Sequence, residues 1–377
     1  MNKIIRIAIL ACMVVTLLSA QNSALAAENP GWQNFGGSIN NTVWTSLLDP
    51  SGNLFLGGDF TTDPSGVDVG HVSKWNGTTW EKMGLGTDGA VLSFASDIPK
   101  NIYTGGAFTK VGGKTVRKVV NRIVRWDTGE GGWNYMQTGA NNIVFAVTAP
   151  SSNKVYAGGT FTKIGSTGAN RVARWNGTTW NNLKTGTSGP VYALAVDSAG
   201  NLYAGGNFKS AGGVTVNNIA MWDGSRWSAL GGGTSATVRS IKIDNNGNVL
   251  VGGYFVTAGG TTVNGIAKWN GATWSAFGSG ISSNGGVGTV YSIQTNAANE
   301  VFIGGTFINA GGVVVNNIAK WDGASWTAIE TGVTGAVYTI ALDQTKNRLY
   351  AAGAFSQDGA KTKVLNRVAF YDLSIVP

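Results

Sequence analysis

The chain has 377 residues, 12% charged and 43% hydrophobic, with 57 glycines, 14 tryptophans, one cysteine, one histidine and a formal net charge of +8. Charge at about half its usual ~25% share and glycine at roughly double its own exclude helical bundles and coiled coils, which need unbroken helix formers and solvated faces. The apolar and aromatic content excludes disorder, and a lone cysteine excludes a disulfide scaffold or thiolate zinc site.

In chain order, residues 1–26 read as a signal peptide. Lys3 and Arg6 precede an apolar run from Ile7 to Leu18, and Ala24-Leu25-Ala26 has the small-x-small form of a signal-peptidase site. The run is short for a bilayer span. The expected mature product, residues 27–377, is one cysteine-free domain in a secreted, periplasmic or cell-surface location, with no transmembrane segment.

From Gly31 onward the chain repeats with a period of about 50 residues. One aromatic series is Trp75, Trp126, Trp175, Trp222, Trp269, Trp321 and Tyr371; a second is Trp32, Trp80, Trp133, Trp180, Trp227, Trp274 and Trp326. Thirteen of the fourteen tryptophans fall in these registers, so core packing is their expected role. Each unit predicts four strands. In the unit at 191–230, strand a is the alternating run Val191 to Val196, and an Asp-x-x-Gly-Asn turn leads to strand b at Leu202 to Phe208. A glycine-containing loop leads to strand c at Asn218 to Trp222, and an Asp-Gly hairpin to strand d at Arg226 to Leu230. The segment Gly31 to Gly36 reads as an isolated d strand, and the chain ends on strands a, b and c. The expected fold is therefore an all-β, seven-bladed β-propeller with four-stranded blades, its ring closed by the N-terminal strand completing the last blade. Closure of this kind removes the open sheet edge.

The block GGxFxxAGGxxxNxIAxWDGxxW, at Gly205 to Trp227 and Gly304 to Trp326, resembles a repeat of secreted bacterial β-propeller proteins. It is similar to repeats of the fungal cortical cell-polarity marker family and, more loosely, to kelch and galactose-oxidase-type propellers. The resemblance covers nearly all of residues 31–377 and implies a propeller with a surface or exported role. It implies no activity, since this architecture hosts many functions.

The working face is expected at the rim formed by the b–c and d–a loops, the longer and more variable set. Four residues before each strand-c aromatic stand His71, Arg122, Arg171, Asn218, Gly265, Asn317 and Arg367, preceded in most repeats by an asparagine suited to loop capping. Trp44, Leu92, Phe145, Tyr192, Arg239, Tyr291 and Tyr338 occupy the second position of strand a, where packing between blades and a ligand platform are both open readings. The second repeat concentrates Lys110, Lys114, Arg117, Lys118, Arg122 and Arg125, a candidate patch for an anionic polymer. Candidate ligand-binding residues are Trp44, His71, Arg117, Lys118, Arg122, Arg171, Tyr192, Arg239, Tyr291, Tyr338 and Arg367.

Catalytic chemistry is poorly supplied. One histidine builds no multi-histidine metal site, and no Gly-x-Ser-x-Gly elbow appears. Asp59, Asp63 and Asp68 are the one candidate calcium set. The expected protein is a monomeric, non-catalytic binding module with no cofactor, whose partner is a protein, a glycan or an anionic polymer rather than nucleic acid. The alternatives are a lectin-like binder of acidic carbohydrate and a hydrolase or lyase centred on the first repeat.

Overall fold

The computed structural model describes residues 31–97, 100–112 and 117–374. The expected leader at 1–26 and Lys114 lie outside the described residues, and of Arg117 only the backbone is described. All regular structure among the described residues is β. Six four-stranded antiparallel sheets follow one another along the chain, the first built from Val43–Leu48, Leu54–Gly58, Val72–Trp75 and Trp80–Lys82 in that spatial order. The last repeat forms a three-stranded sheet, Val337–Asp343, Arg348–Gly353 and Val368–Asp372. No sheet closes on itself. The expected N-terminal d strand is reduced to one antiparallel bridge, in which Gln33 and Phe370 exchange backbone hydrogen bonds of 2.9 Å.

Strand a does not alternate as its sequence suggests. Each first strand carries a bulge after its first valine. In the fourth repeat, Val191 faces Gly206 while Ala193 faces Gly205, leaving Tyr192 without a partner. The same shift recurs at Trp44, Leu92, Phe145, Arg239, Tyr291 and Tyr338. A bulge adds one residue and reverses the phase of the side chains beyond it. Positions 1 and 4 of the strand, such as Val238 and Ile241, consequently share a face and pack on the preceding sheet.

The paired glycines of strand b make room for that packing. A Cβ on Gly205 would lie 2.4 Å from Cγ1 of Val238 and 3.0 Å from Cδ1 of Ile241. On Gly206 it would lie 2.0 Å from the carbonyl oxygen of Pro190. The glycines thus set how closely one sheet approaches the next. Gly205→Val is expected to destabilise by at least about 1–3 kcal/mol through overpacking, visible as a lower thermal midpoint. In the last repeat Ala352 replaces the first glycine. It is buried in one cluster with Val43 and Leu56 of the first sheet, so that junction accommodates a methyl group.

Strand-c and strand-d aromatics pair directly across the hairpin, Trp222 opposite Trp227 with ring centroids 5.5 Å apart. Eight of the thirteen repeat tryptophans are buried; Trp75, Trp80, Trp133, Trp269 and Trp321 are half-buried and pack against the core clusters from their edges. The strand-d indoles also tie sheet to sheet. Trp133, Trp180, Trp227, Trp274 and Trp326 donate their N–H to carbonyls of Met83, Met136, Leu183, Leu230 and Phe277 in the preceding repeat, at 2.9–3.1 Å. The equivalent N–H groups of Trp32 and Trp80, beside the N-terminal segment, are buried without a partner among the described residues.

Candidate functional site at the mouth of the central cavity

The seven bulges converge. A cavity of about 530 Å³ is lined by residues from all seven first strands, and the bulged residues Trp44, Leu92, Phe145, Tyr192, Arg239, Tyr291 and Tyr338 all contribute to its wall. A side chain at a bulge is free of the ladder's alternation, which is how a strand packed on its neighbour also presents an aromatic to the axis.

These residues touch in sequence. Tyr291 meets Tyr338 at 5.1 Å between centroids, Tyr338 meets Trp44 at 4.4 Å, and Phe145 meets Tyr192 at 5.1 Å. The guanidinium of Arg239 lies 4.2 Å from the Tyr192 ring centroid, a cation–π contact. The Trp44 indole donates to Oδ2 of Asp59 at 2.8 Å. Burial, with Tyr291 beside it, pushes the Tyr338 phenol up. Below the mouth, hydroxyls stitch adjacent first strands together. Ser93 accepts from Val147 N at 3.0 Å, Ser292 from Ile340 N at 3.1 Å, and Thr339 from Ser46 N at 3.1 Å. The last of these joins the final repeat to the first.

Deeper in the same wall lies Lys242, three residues after Arg239, which sequence reasoning missed. Burial pulls its ammonium below the usual lysine range. The available sequence signal was a lysine inside an otherwise apolar first strand, Val-Arg-Ser-Ile-Lys-Ile. Apart from its tyrosines, Arg239 and Lys242 are the ionisable side chains of the lining, which holds no carboxylate, imidazole or thiol. Such a wall can stack, hydrogen-bond and attract negative charge.

The remaining candidates lie elsewhere. His71, Arg122, Arg171 and Arg367 do not line the cavity. All four adopt positive φ of 65–73°, where the chain turns from the b–c loop into strand c. That conformation costs a non-glycine residue about 1–2 kcal/mol. The arginines each donate to a carbonyl of the neighbouring d–a loop. Arg122 Nη1 donates to Ala140 O at 3.0 Å, Arg171 Nη1 to Thr187 O at 2.8 Å, and Arg367 Nη1 to Ile39 O at 2.7 Å. Asn218 and Asn317 make the same bond with their amides, to Thr234 O and Val333 O. His71 offers its carbonyl to Gly58 N at 3.1 Å. The asparagines just before them brace the same loops, as Asn121 does at Thr138 O and Asn217 at Gly232 O. Lys118 is exposed, its ammonium 5.9 Å from the Tyr135 ring centroid on the outermost strand of its sheet and away from the cavity.

The first-repeat acids do not converge. Asp59 serves Trp44. Asp63 closes its own turn, its Oδ1 accepting from Ser65 and from Val67 N, and Asp68 accepts from Gly70 N. Among the described residues no group of three or more His, Cys, Asp or Glu is placed to hold a metal ion.

A β-propeller profile described as a domain of unknown function, DUF5122, matches residues 151–177. Solved structures extend the likeness to nearly the whole chain. The extracellular domain of BT4673 from B. thetaiotaomicron superposes with a TM-score of 0.57 at 9% identity, over 91% of this chain and 39% of that one. The RRP9 WD40 repeats superpose with a TM-score of 0.59 at 11% identity, over 90% of this chain and 98% of that one. The fold is a β-propeller. YCF48 bound to D1 peptide is also similar, with a TM-score of 0.54 at 14% identity over 93% of this propeller and 98% of its own chain. The propeller therefore spans about two fifths of the BT4673 chain and nearly all of the other two. No curated protein matches its sequence. No helix among the described residues is long and apolar enough to cross a membrane.

Proposed function

We propose that this propeller is an exported, monomeric, non-catalytic binding module without a cofactor, its residues 27–377 forming one closed seven-bladed ring. Four contacts between the chain's two ends support closure: the Gln33–Phe370 bridge, the Arg367–Ile39 bond, the Thr339–Ser46 bond and the Tyr338–Trp44 ring pair. The leader-like residues 1–26 and the likeness to an extracellular bacterial domain support export.

The observation that carries the binding site is the convergence of seven bulged side chains, mostly aromatic, on one cavity of about 530 Å³. That volume lies in the range of small-ligand pockets. The same bulge that puts positions 1 and 4 of strand a against the preceding sheet frees position 2 to line the cavity, seven times at one place. A bound peptide in YCF48 and an extracellular setting in BT4673 are compatible precedents within the fold. An array of glycans, peptides and polyanions, with and without Ca²⁺, tests the reading on the mature chain. Every ligand captured is expected to bind at least about tenfold more weakly to Trp44→Ala and Tyr338→Ala, the loss of one stacking contact desolvated at a pocket mouth. Ligands insensitive to both substitutions would place the working surface elsewhere.

A further inference from the structure

We infer that the cavity mouth takes a single carboxylate carried on a six-membered ring, the carboxylate held by Arg239 and Lys242 and the ring packed against Tyr338 and Trp44. The inference rests on the cavity being the binding site and adds the chemistry of its ligand.

Charge distribution singles out the anion. Arg239 and Lys242 stand on one strand, Val238–Ile243, and both contribute to the cavity wall. Neither forms an ion pair with a carboxylate among the described residues, where the four ion pairs are made by other side chains. The lining itself contains no acid. An ammonium in a half-buried wall with no counter-charge is an unfavourable arrangement in the free protein. Burial already draws Lys242 below the ordinary lysine range, and a bound anion would relieve it. Asp59, which accepts from the Trp44 indole, belongs to the first repeat, whereas Arg239 belongs to the fifth and forms no ion pair with it.

The carboxylate follows from geometry. The Arg239 guanidinium carbon lies 4.2 Å from the Tyr192 ring centroid, and no carboxylate pairs with its N–H groups among the described residues. A planar fork is the donor that pairs bidentately with a carboxylate, a match the point charge of a lysine does not make. The ring follows from the neighbours. Tyr338 is half-buried between Tyr291 and Trp44, tilted 63° and 41° to them, so a cluster of aromatic rings lines the wall beyond the cation. Two ring types share this chemistry: a hexuronate, whose C–H face stacks on aromatics, and an aryl carboxylate.

The test is isothermal titration of the mature chain with galacturonate, benzoate, galactose and inorganic phosphate. At least one carboxylate is expected to bind, with galactose and phosphate at least about tenfold weaker. Which carboxylate binds tighter separates the sugar source from the aryl one. Arg239→Gln and Lys242→Met are each expected to weaken that ligand by at least about tenfold. Arg239 is exposed and methionine keeps the length of Lys242, so thermal midpoints near that of the parent chain confirm folding. Failure of both carboxylates to bind at about 10 mM, or binding no tighter than galactose, overturns the inference. So does a carboxylate affinity unchanged by both substitutions. If Trp44→Ala and Tyr338→Ala weaken an uncharged ligand while Arg239→Gln does not, the site stands and its proposed chemistry falls. If a ligand is captured and all four substitutions are silent, the site itself falls.

Discussion

Trp227→Ala is expected to lower the unfolding free energy by about 3–5 kcal/mol, the range for deleting a large buried aromatic. The indole is 3% exposed, packs on Trp222 and donates to Leu183 O at 3.0 Å. The substitution removes three things together: buried apolar area, a ring–ring contact, and one of the two hydrogen bonds to the Leu183 carbonyl, which still accepts from Gly186 N at 3.1 Å. The lost sheet-to-sheet bond adds to the cost of the cavity. Trp269→Ala, at a half-buried ring of the other series, is expected to cost less. Chemical denaturation of both variants checks the order, and equal losses would overturn it.

Deleting residues 31–35 of the mature chain is expected to have the larger effect, above about 5 kcal/mol, a loss exceptional for a local change. Trp32 is fully buried and packs on Tyr371 at 5.6 Å, and its backbone N–H donates to Glu330 Oε2 at 2.9 Å. Phe35 packs between Trp75, Trp80 and Phe370, so it touches both the first and the last repeat. Without this segment, strand Val368–Asp372 becomes an open edge able to pair with another chain. A lower thermal midpoint together with aggregation on size-exclusion chromatography is the expected pair of results. An unchanged melt and elution volume would remove the N-terminal segment from ring closure. The unpartnered indole N–H groups of Trp32 and Trp80 mark the same junction as less well satisfied than the others.

The strand order within each repeat was legible because strand and turn signals are local. Alternation, paired tryptophans and Asp-Gly or Asn-Gly hairpins repeat at a fixed period, and each copy reinforces the reading of the others. The Asp-x-x-Gly-Asn turns also behave as read: Asp197 Oδ1 accepts from Asn201 N at 2.8 Å and its Oδ2 from the Asn201 amide at 2.9 Å. The ring before strand c is legible as a set of candidate binding residues, but not the bond each of Arg122, Arg171 and Arg367 makes to a carbonyl of the neighbouring loop, which only the assembled sheets bring within reach.

What the sequence by itself determined is the repeat: its period, its four strands and the aromatics that pair within it, all consequences of short-range chemistry. Tertiary structure alone decided where the repeats point their side chains. The first glycine of strand b meets a valine from the next sheet, and the bulge after that valine sets Trp44, Tyr192, Arg239, Tyr291 and Tyr338 in the wall of one cavity. A linear pattern of period two cannot show this convergence, because a bulge breaks the alternation such a pattern assumes. Lys242 makes the same point: a lysine in an apolar strand reads as an irregularity until seven strands meet and it stands in an acid-free wall beside Arg239.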